Sequence, residues 1–149
     1  MRIALVEPEI PGNTGTIGRL AMATGCPLHL VEPLGFQVDD RAVRRAGLDY
    51  WPQAEVYYHD SFAALTQEVP ACRFHLLSTH ASVPYTRMPL QRGDLIVFGK
   101  ETQGLDTELL CRYPDSCYTI PMWNDARSLN LAVAVGIVVY DGLRRLQGF

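Results

Sequence analysis

The chain has 149 residues, 48% of them hydrophobic and 19% charged, with a formal net charge of −3. These values fit one globular α/β-sized domain and exclude a disordered, fibrous or strongly basic polypeptide. A local basic patch is still allowed, because overall charge governs solubility more than any particular site.

The opening MRIALVEPEI has too short an apolar run for a signal peptide, and no run approaches the roughly 20 residues that span a bilayer. A soluble cytoplasmic protein is expected. Within this stretch Ile3–Val6 reads as a buried strand, followed by the Pro- and Gly-rich loop EPEIPGN. Asn13 is the expected N-cap of a helix to about Ala23, with Ile17, Leu20 and Ala21 on one face and Gly25 as the stop. Leu28–Val31 is the second strand. Asp39 or Asp40 caps a short helix carrying Arg41, Arg44 and Arg45, and Glu55–Tyr58 and Ser61–Glu68 read as the next strand and helix. Arg73–Leu77 and Leu95–Phe98 are further strands, separated by the loop His80–Gly93. A helix near Thr107–Cys111 leads to a strand over Tyr118–Ile120.

Leu131–Tyr140 is apolar on every side, which predicts a helix buried all round, against the sheet on one side and a second subunit on another. Strand and helix alternate with short links, which argues for one domain over residues 1–149 built on a mainly parallel sheet. Ligands of such sheets bind beyond the carboxyl ends of the strands. The unusual segments EPEIPGNTG, STHAS, GKETQG and PMWNDARS all fall there.

Several chemistries can be weighed. Cys26, Cys72, Cys111 and Cys117 form no CxxC pair and the four histidines no HExxH, so free thiols and no structural metal are expected. GNTGTIGRLA sets glycines before a helix start, where N–H groups attract anions, but its spacing is neither Walker A nor GxGxxG. Gly15 and Gly18 could equally let the helix pack on the sheet, whereas Arg19 among apolar neighbours needs an anionic or carbonyl partner. In FGKETQG, Gly99 lets backbone approach a ligand and Gly104 permits a second tight turn. Glu101 there could be a base, a ribose ligand or a helix-start carboxylate. Ser128, in RSLN, lacks the GxSxG context of a nucleophile, and a helix-start hydrogen bond is its plainer role, with Asn130 reaching back into the preceding loop. RAVRRAGLDYW joins three arginines to Tyr50 and Trp51, phosphate-binding charge beside surfaces on which bases stack; a solvated basic helix face is the alternative.

Together EPEIPGNTGTIGRLA, HLVEPLGF, RRAGLDYW, FGKETQG and IPM…RSLNLAVAVGIVVY resemble the SPOUT class of RNA methyltransferases. Within it they are similar to the short, single-domain branch that 2′-O-methylates the wobble nucleotide (cytidine or carboxymethylaminomethyluridine) of leucine tRNAs. That branch commonly has proline where this chain has Lys100. The resemblance implies a parallel α/β sheet whose C-terminal part forms a deep trefoil knot. It implies S-adenosylmethionine as cofactor, held by Leu77, Gly99, Gly104, Ile120, Met122, Ser128 and Leu129, and no metal. It also implies a homodimer through the C-terminal helix, with the site straddling two subunits. Arg19 is assigned to the ribose 2′-hydroxyl or adjacent phosphate. Arginine is a poor base, so stabilisation of the developing alkoxide is the expected role. Asn13, Glu101 and Asn130 are the supporting polar groups, and Arg41, Arg44, Arg45, Tyr50 and Arg127 the RNA contacts, with the tRNA anticodon stem-loop as partner. A non-catalytic nucleotide- or RNA-binding module using the same loops is the alternative.

Overall fold

In the computed structural model, residues 1–37, 51, 53–69 and 73–148 are described. The proposed helix carrying Arg41, Arg44 and Arg45, together with Tyr50 and Cys72, lies outside them.

Six short strands form one wholly parallel sheet: β1 Arg2–Val6, β2 Leu28–Val31, β3 Val56–His59, β4 Phe74–Leu77, β5 Leu95–Phe98 and β6 Cys117–Tyr118. Their spatial order is β3-β2-β1-β5-β4-β6. Parallel pairing needs long crossovers, and these carry helices onto both faces. The helices are α1 Pro11–Thr24, α2 Phe62–Glu68, α3 Thr107–Arg112 and α4 Leu131–Gln147.

Side-chain alternation along the strands sorts the core into two layers. Ile3, Leu5, Leu28, Leu30, Ile96 and Phe98 meet Ile17 and Ala21 of α1 and Val135, Val138 and Val139 of α4. On the other face Ala4, Val31, Leu76, Leu95 and Val97 meet Leu65 of α2 and Leu105, with Phe62, Leu109 and Leu110 packed alongside. Each fully buried Leu or Ile contributes on the order of 1.5–3 kcal/mol relative to exposure.

Five expectations change in detail. Helix α1 begins at Pro11, with Ile10 as N-cap and Asn13 already in the first turn, its N–H bonded to the Ile10 carbonyl at 3.1 Å. Proline has no N–H to lose at the first helical position and its fixed φ suits the helix, so the start moves forward of the asparagine. Gly25 ends the helix as expected, at φ 62°. The strand expected over Glu55–Tyr58 runs one residue later, from Val56 to His59, and the last strand is Cys117–Tyr118, shorter and earlier than Tyr118–Ile120. Helix α4 continues seven residues past Tyr140, to Gln147, because Leu143 and Gly142 remain buried while Arg144 and Arg145 face out. Nor is α4 buried on every side: Val133 is 51% and Tyr140 50% exposed. These residues lie seven apart, hence on one face two turns along the helix.

Among the described residues no helix is long and apolar enough to cross a membrane, and no group of side chains could hold a metal ion. Cys26, Cys111 and Cys117 are free.

Candidate functional site

Beyond the carboxyl ends of β4, β5 and β6 the loops enclose a cavity of about 400 Å³. That volume lies within the range of small-molecule sites. Its wall is made by three loops, each shaped by an identifiable local cause.

The loop after β5 is shaped by glycine. A Cβ on Gly99 would lie 2.1 Å from the Gly104 carbonyl carbon and 2.2 Å from the Leu105 nitrogen, so no side chain fits. Gly104 itself has φ +71°, a left-handed conformation that favours glycine, and its N–H donates to the Lys100 carbonyl at 2.9 Å. The loop therefore folds back tightly on itself at the cavity wall. The loop after β4 is stitched to β6 and the residue beyond it: Ser78 N–H donates to the Tyr118 carbonyl at 2.9 Å, Thr119 N–H to the Val83 carbonyl at 2.8 Å, and Tyr85 N–H to the Thr119 carbonyl at 2.8 Å. The third loop, from Thr119 to Asn130, ends at the start of α4. There Asn130 Oδ1 accepts from the N–H groups of Ala132 (2.9 Å) and Val133 (3.3 Å), the N-cap arrangement.

One polar relay joins these parts. Asn130 Nδ2 donates to Asn13 Oδ1 at 2.9 Å, and Asn13 Nδ2 donates to Glu101 Oε1 at 2.9 Å. Glu101 also accepts from the backbone N–H groups of Glu9 (2.7 Å) and Ile10 (3.2 Å). Every donor points the same way, from the α4 amides to the carboxylate, so each bond polarises the next. Glu101 is therefore a helix-start carboxylate, but for α1 rather than for a helix of its own, where the positive end of the dipole favours it. In return Glu9 accepts from the Thr102 hydroxyl (2.8 Å) and N–H (3.1 Å).

Lys100 departs from the proline of the resembling branch, and its ammonium donates to Glu7 Oε2 at 2.9 Å. That hydrogen bond and the Glu7 charge raise the lysine above its ordinary pKa. Glu7 has φ +51°, uncommon for a residue with a Cβ. The ion pair thus ties the bend after β1 to the glycine loop, a restraint that replaces the stiffness of a proline ring.

The structure brings most of the expected site residues to this cavity. Leu77, Gly99, Gly104, Ile120, Met122, Ser128 and Leu129 all line it. So do Asn13, Glu101, Asn130 and Arg127. Ser128 is exposed and Asn130, not Ser128, caps α4. Arg19 is exposed and does not line the cavity of its own chain. Six residues beyond Asn13 it lies about 9 Å farther along the helix and well round its axis. Arg41, Arg44, Arg45 and Tyr50 lie outside the described residues. Ser78, Thr79 and His80 also line the cavity without having been singled out, although their segment STHAS had been placed at the right sheet edge. Lys100 lines it too, and its pairing with Glu7 carries no local sequence signal.

Comparison with known proteins agrees with this geometry. The family model described as "SpoU rRNA Methylase family" matches residues 1–140. A tRNA (cytidine(34)-2′-O)-methyltransferase of Polaromonas sp. is 47% identical over 150 residues, covering 99% of this chain and 91% of the relative. A solved structure described as "Structural insights into the 2-OH methylation of C/U34 on tRNA" superposes with a TM-score of 0.94 at 42% identity, covering 99% of this chain and 97% of the other. An AdoMet-bound rRNA methyltransferase from Sinorhizobium meliloti superposes with a TM-score of 0.86 at 27% identity, covering 97% of this chain and 56% of that one.

Proposed function

The chain belongs to the SpoU rRNA methylase family, and from that premise we propose how its cavity works. The protein is an S-adenosylmethionine-dependent methyltransferase that acts on the ribose 2′-oxygen of tRNA nucleotide 34. The observation that carries this reading is the glycine-built loop on the cavity wall, where Gly99 packs so closely on Gly104 and Leu105 that no side chain fits.

The residues present fit the cofactor. Leu77, Gly99 and Ile120 offer backbone groups at three strand ends, Gly104 keeps the middle loop folded, and Met122, Ser128 and Leu129 close the outer side. Bound there, S-adenosylmethionine supplies a methyl group already activated by its sulfonium. The chain's task is then to position the ribose and ease loss of the hydroxyl proton. Asn13, Glu101 and Asn130 hold the loops in register through their relay. Arg19, with its fixed positive charge, stabilises the developing alkoxide, and Arg127 at the cavity rim meets phosphate.

Three finer assignments belong to the same proposal. The substrates are leucine tRNAs with cytidine or carboxymethylaminomethyluridine at the wobble position, bound through the anticodon stem-loop in the cytoplasm; this rests on the sequence resemblance. The C-terminal part is threaded as a trefoil knot. Supporting it, β6 lies beyond β4 at the sheet edge while α4 returns to pack beside α1, and the loops on either side are cross-bonded through Tyr85 and Thr119. The protein is a homodimer through α4, for which the exposed Val133 and Tyr140 supply an apolar face. In that arrangement Arg19, outside its own cavity, serves the cavity of the second subunit.

The test is Arg19→Ala, assayed for methyl transfer to tRNA position 34 and, by calorimetry, for S-adenosylhomocysteine affinity. Transfer is expected to fall by about 100-fold or more, with affinity within twofold of the unaltered protein. Normal transfer by the variant would remove the role given to Arg19. Absence of transfer at position 34 by the unaltered protein would remove the reaction itself.

A further inference from the structure

We propose that Trp51 is a positioning residue for the RNA side of the site, seated on Gly18 so that the outer face of α1, with Arg19, keeps a single arrangement. The inference rests on the methyl-transfer reading above. Gly18 is buried in α1, and the sequence suggested that it lets the helix approach the sheet. Its neighbour is instead the indole: a Cβ on Gly18 would lie 2.6 Å from Trp51 Cζ3 and 2.9 Å from Cε3. The ring fills the space that a methyl group would need. Trp51 is half-buried, packs against the main core cluster, and donates from Nε1 to the Tyr58 hydroxyl at 3.3 Å. Its carbonyl accepts from Ala54 N–H at 3.2 Å.

The indole therefore bridges α1 and the edge strand β3, and it does so at the residue next to Arg19. A ring with one face on a helix is an anchor, not the free stacking platform that the sequence suggested. In the sequence, Trp51 directly follows the segment bearing Arg41, Arg44, Arg45 and Tyr50. The anchor thus fixes the chain at the residue immediately after that basic segment. Substrate-positioning contacts of this kind matter because a displacement of about 1 Å can lower a rate by about 100-fold.

A double-mutant cycle tests this in the full chain, with Gly18→Ala, Trp51→Phe and both together. The readouts are kcat and KM for tRNA, S-adenosylhomocysteine affinity and Tm. Alanine ordinarily favours a helix over glycine, so a loss on Gly18→Ala reports the contact with the indole. Each single change is expected to lower kcat/KM for tRNA by about tenfold while cofactor affinity stays within twofold. The double variant is expected to recover to within about threefold, since the smaller ring leaves room for the added methyl. Should the phenylalanine variant fail to fold, Trp51→Met takes its place in the cycle. Single variants with unchanged kcat/KM, losses that merely add, or cofactor affinity falling in step with kcat/KM would each overturn the anchor while a fully active unaltered protein left the reaction standing. An unaltered protein that transfers no methyl group to tRNA would overturn the reaction and the anchor with it.

Discussion

The sheet carries a polar network at each end, buried at one and partly open at the other. At the amino end Asp94, its side chain 5% exposed, accepts from Arg73 Nη2 (2.7 Å), from the Gln91 N–H (2.7 Å) and, at 2.9 Å, meets His75 Nε2. Burial opposes ionisation of this carboxyl, but the hydrogen bonds from Arg73, His75 and Gln91 outweigh it and hold Asp94 below its ordinary pKa. His75 lies below its ordinary value, burial being the main cause and the bond to Asp94 opposing it. Neither the carboxyl-end cavity nor the pocket between α2 and α3 is lined by any of these residues. At the carboxyl end the Glu101–Asn13–Asn130 relay is less buried, with Asn130 exposed, and it stands on the wall of a 400 Å³ space beside glycine backbone. Perturbed titration is thus a poor guide to function here, because a closed ion-pair cluster also perturbs pKa values. What marks the site is polar order next to room for a ligand, at the sheet edge where parallel folds bind them.

The contrast is easiest to break at Asp94. Asp94→Ala leaves His75 and the Arg73 guanidinium without their carboxylate, and is expected to cost about 3 kcal/mol by urea unfolding. S-adenosylhomocysteine affinity, measured where the variant is still folded, should stay within twofold; a tenfold loss would merge the two networks into one. Acid unfolding sharpens the same point. His29 is lowered from 6.5 to about 4, chiefly by burial, with the charges of His59 and Arg2 adding to it. The unfolded chain therefore takes up this proton first as pH falls. The histidine's contribution is complete above about pH 6.5 and shrinks between there and pH 4, by at most about 3 kcal/mol. His29→Gln should flatten the dependence of the urea midpoint on pH across that window. If the slope is unchanged, His29 is not its source. The smallest effect on stability is expected at the other end. Asn130→Ala removes the α4 cap and should cost about 1 kcal/mol, yet weaken S-adenosylhomocysteine binding by about tenfold. A variant that loses stability and keeps its affinity would show the relay to be scaffold only.

Much of this was legible locally. The strands announced themselves as short Leu- and β-branched runs, Gly25 marked its helix end, and the four unusual loops mapped to one sheet edge because a parallel sheet puts them there. Other features depend on residues far apart in the chain. Asn13 looks like an N-cap until Pro11 is weighed against it, and Glu101 caps a helix 90 residues upstream in sequence terms, which no window on FGKETQG contains. Trp51 reads as an exposed aromatic until Gly18 is placed under it. The last turns of α4 alternate polar and apolar residues, so an apolar-run criterion stops at Tyr140 while the helix continues. The proposed knot is invisible to any local argument, since threading is a property of the whole path, and folds seldom thread.

The relay has one more consequence, for the order in which the molecule is made. Its two links join residues separated by 88 and 117 positions. Contacts that distant form late, because long loops must close before they are rewarded. On the ribosome Asn130 emerges long after Asn13. A nascent chain thus owns no complete cavity wall until Asn130 and the start of α4 are free. A chain cut short before α4 lacks Asn130, Leu131 and Ala134, and with them one side of the cavity wall.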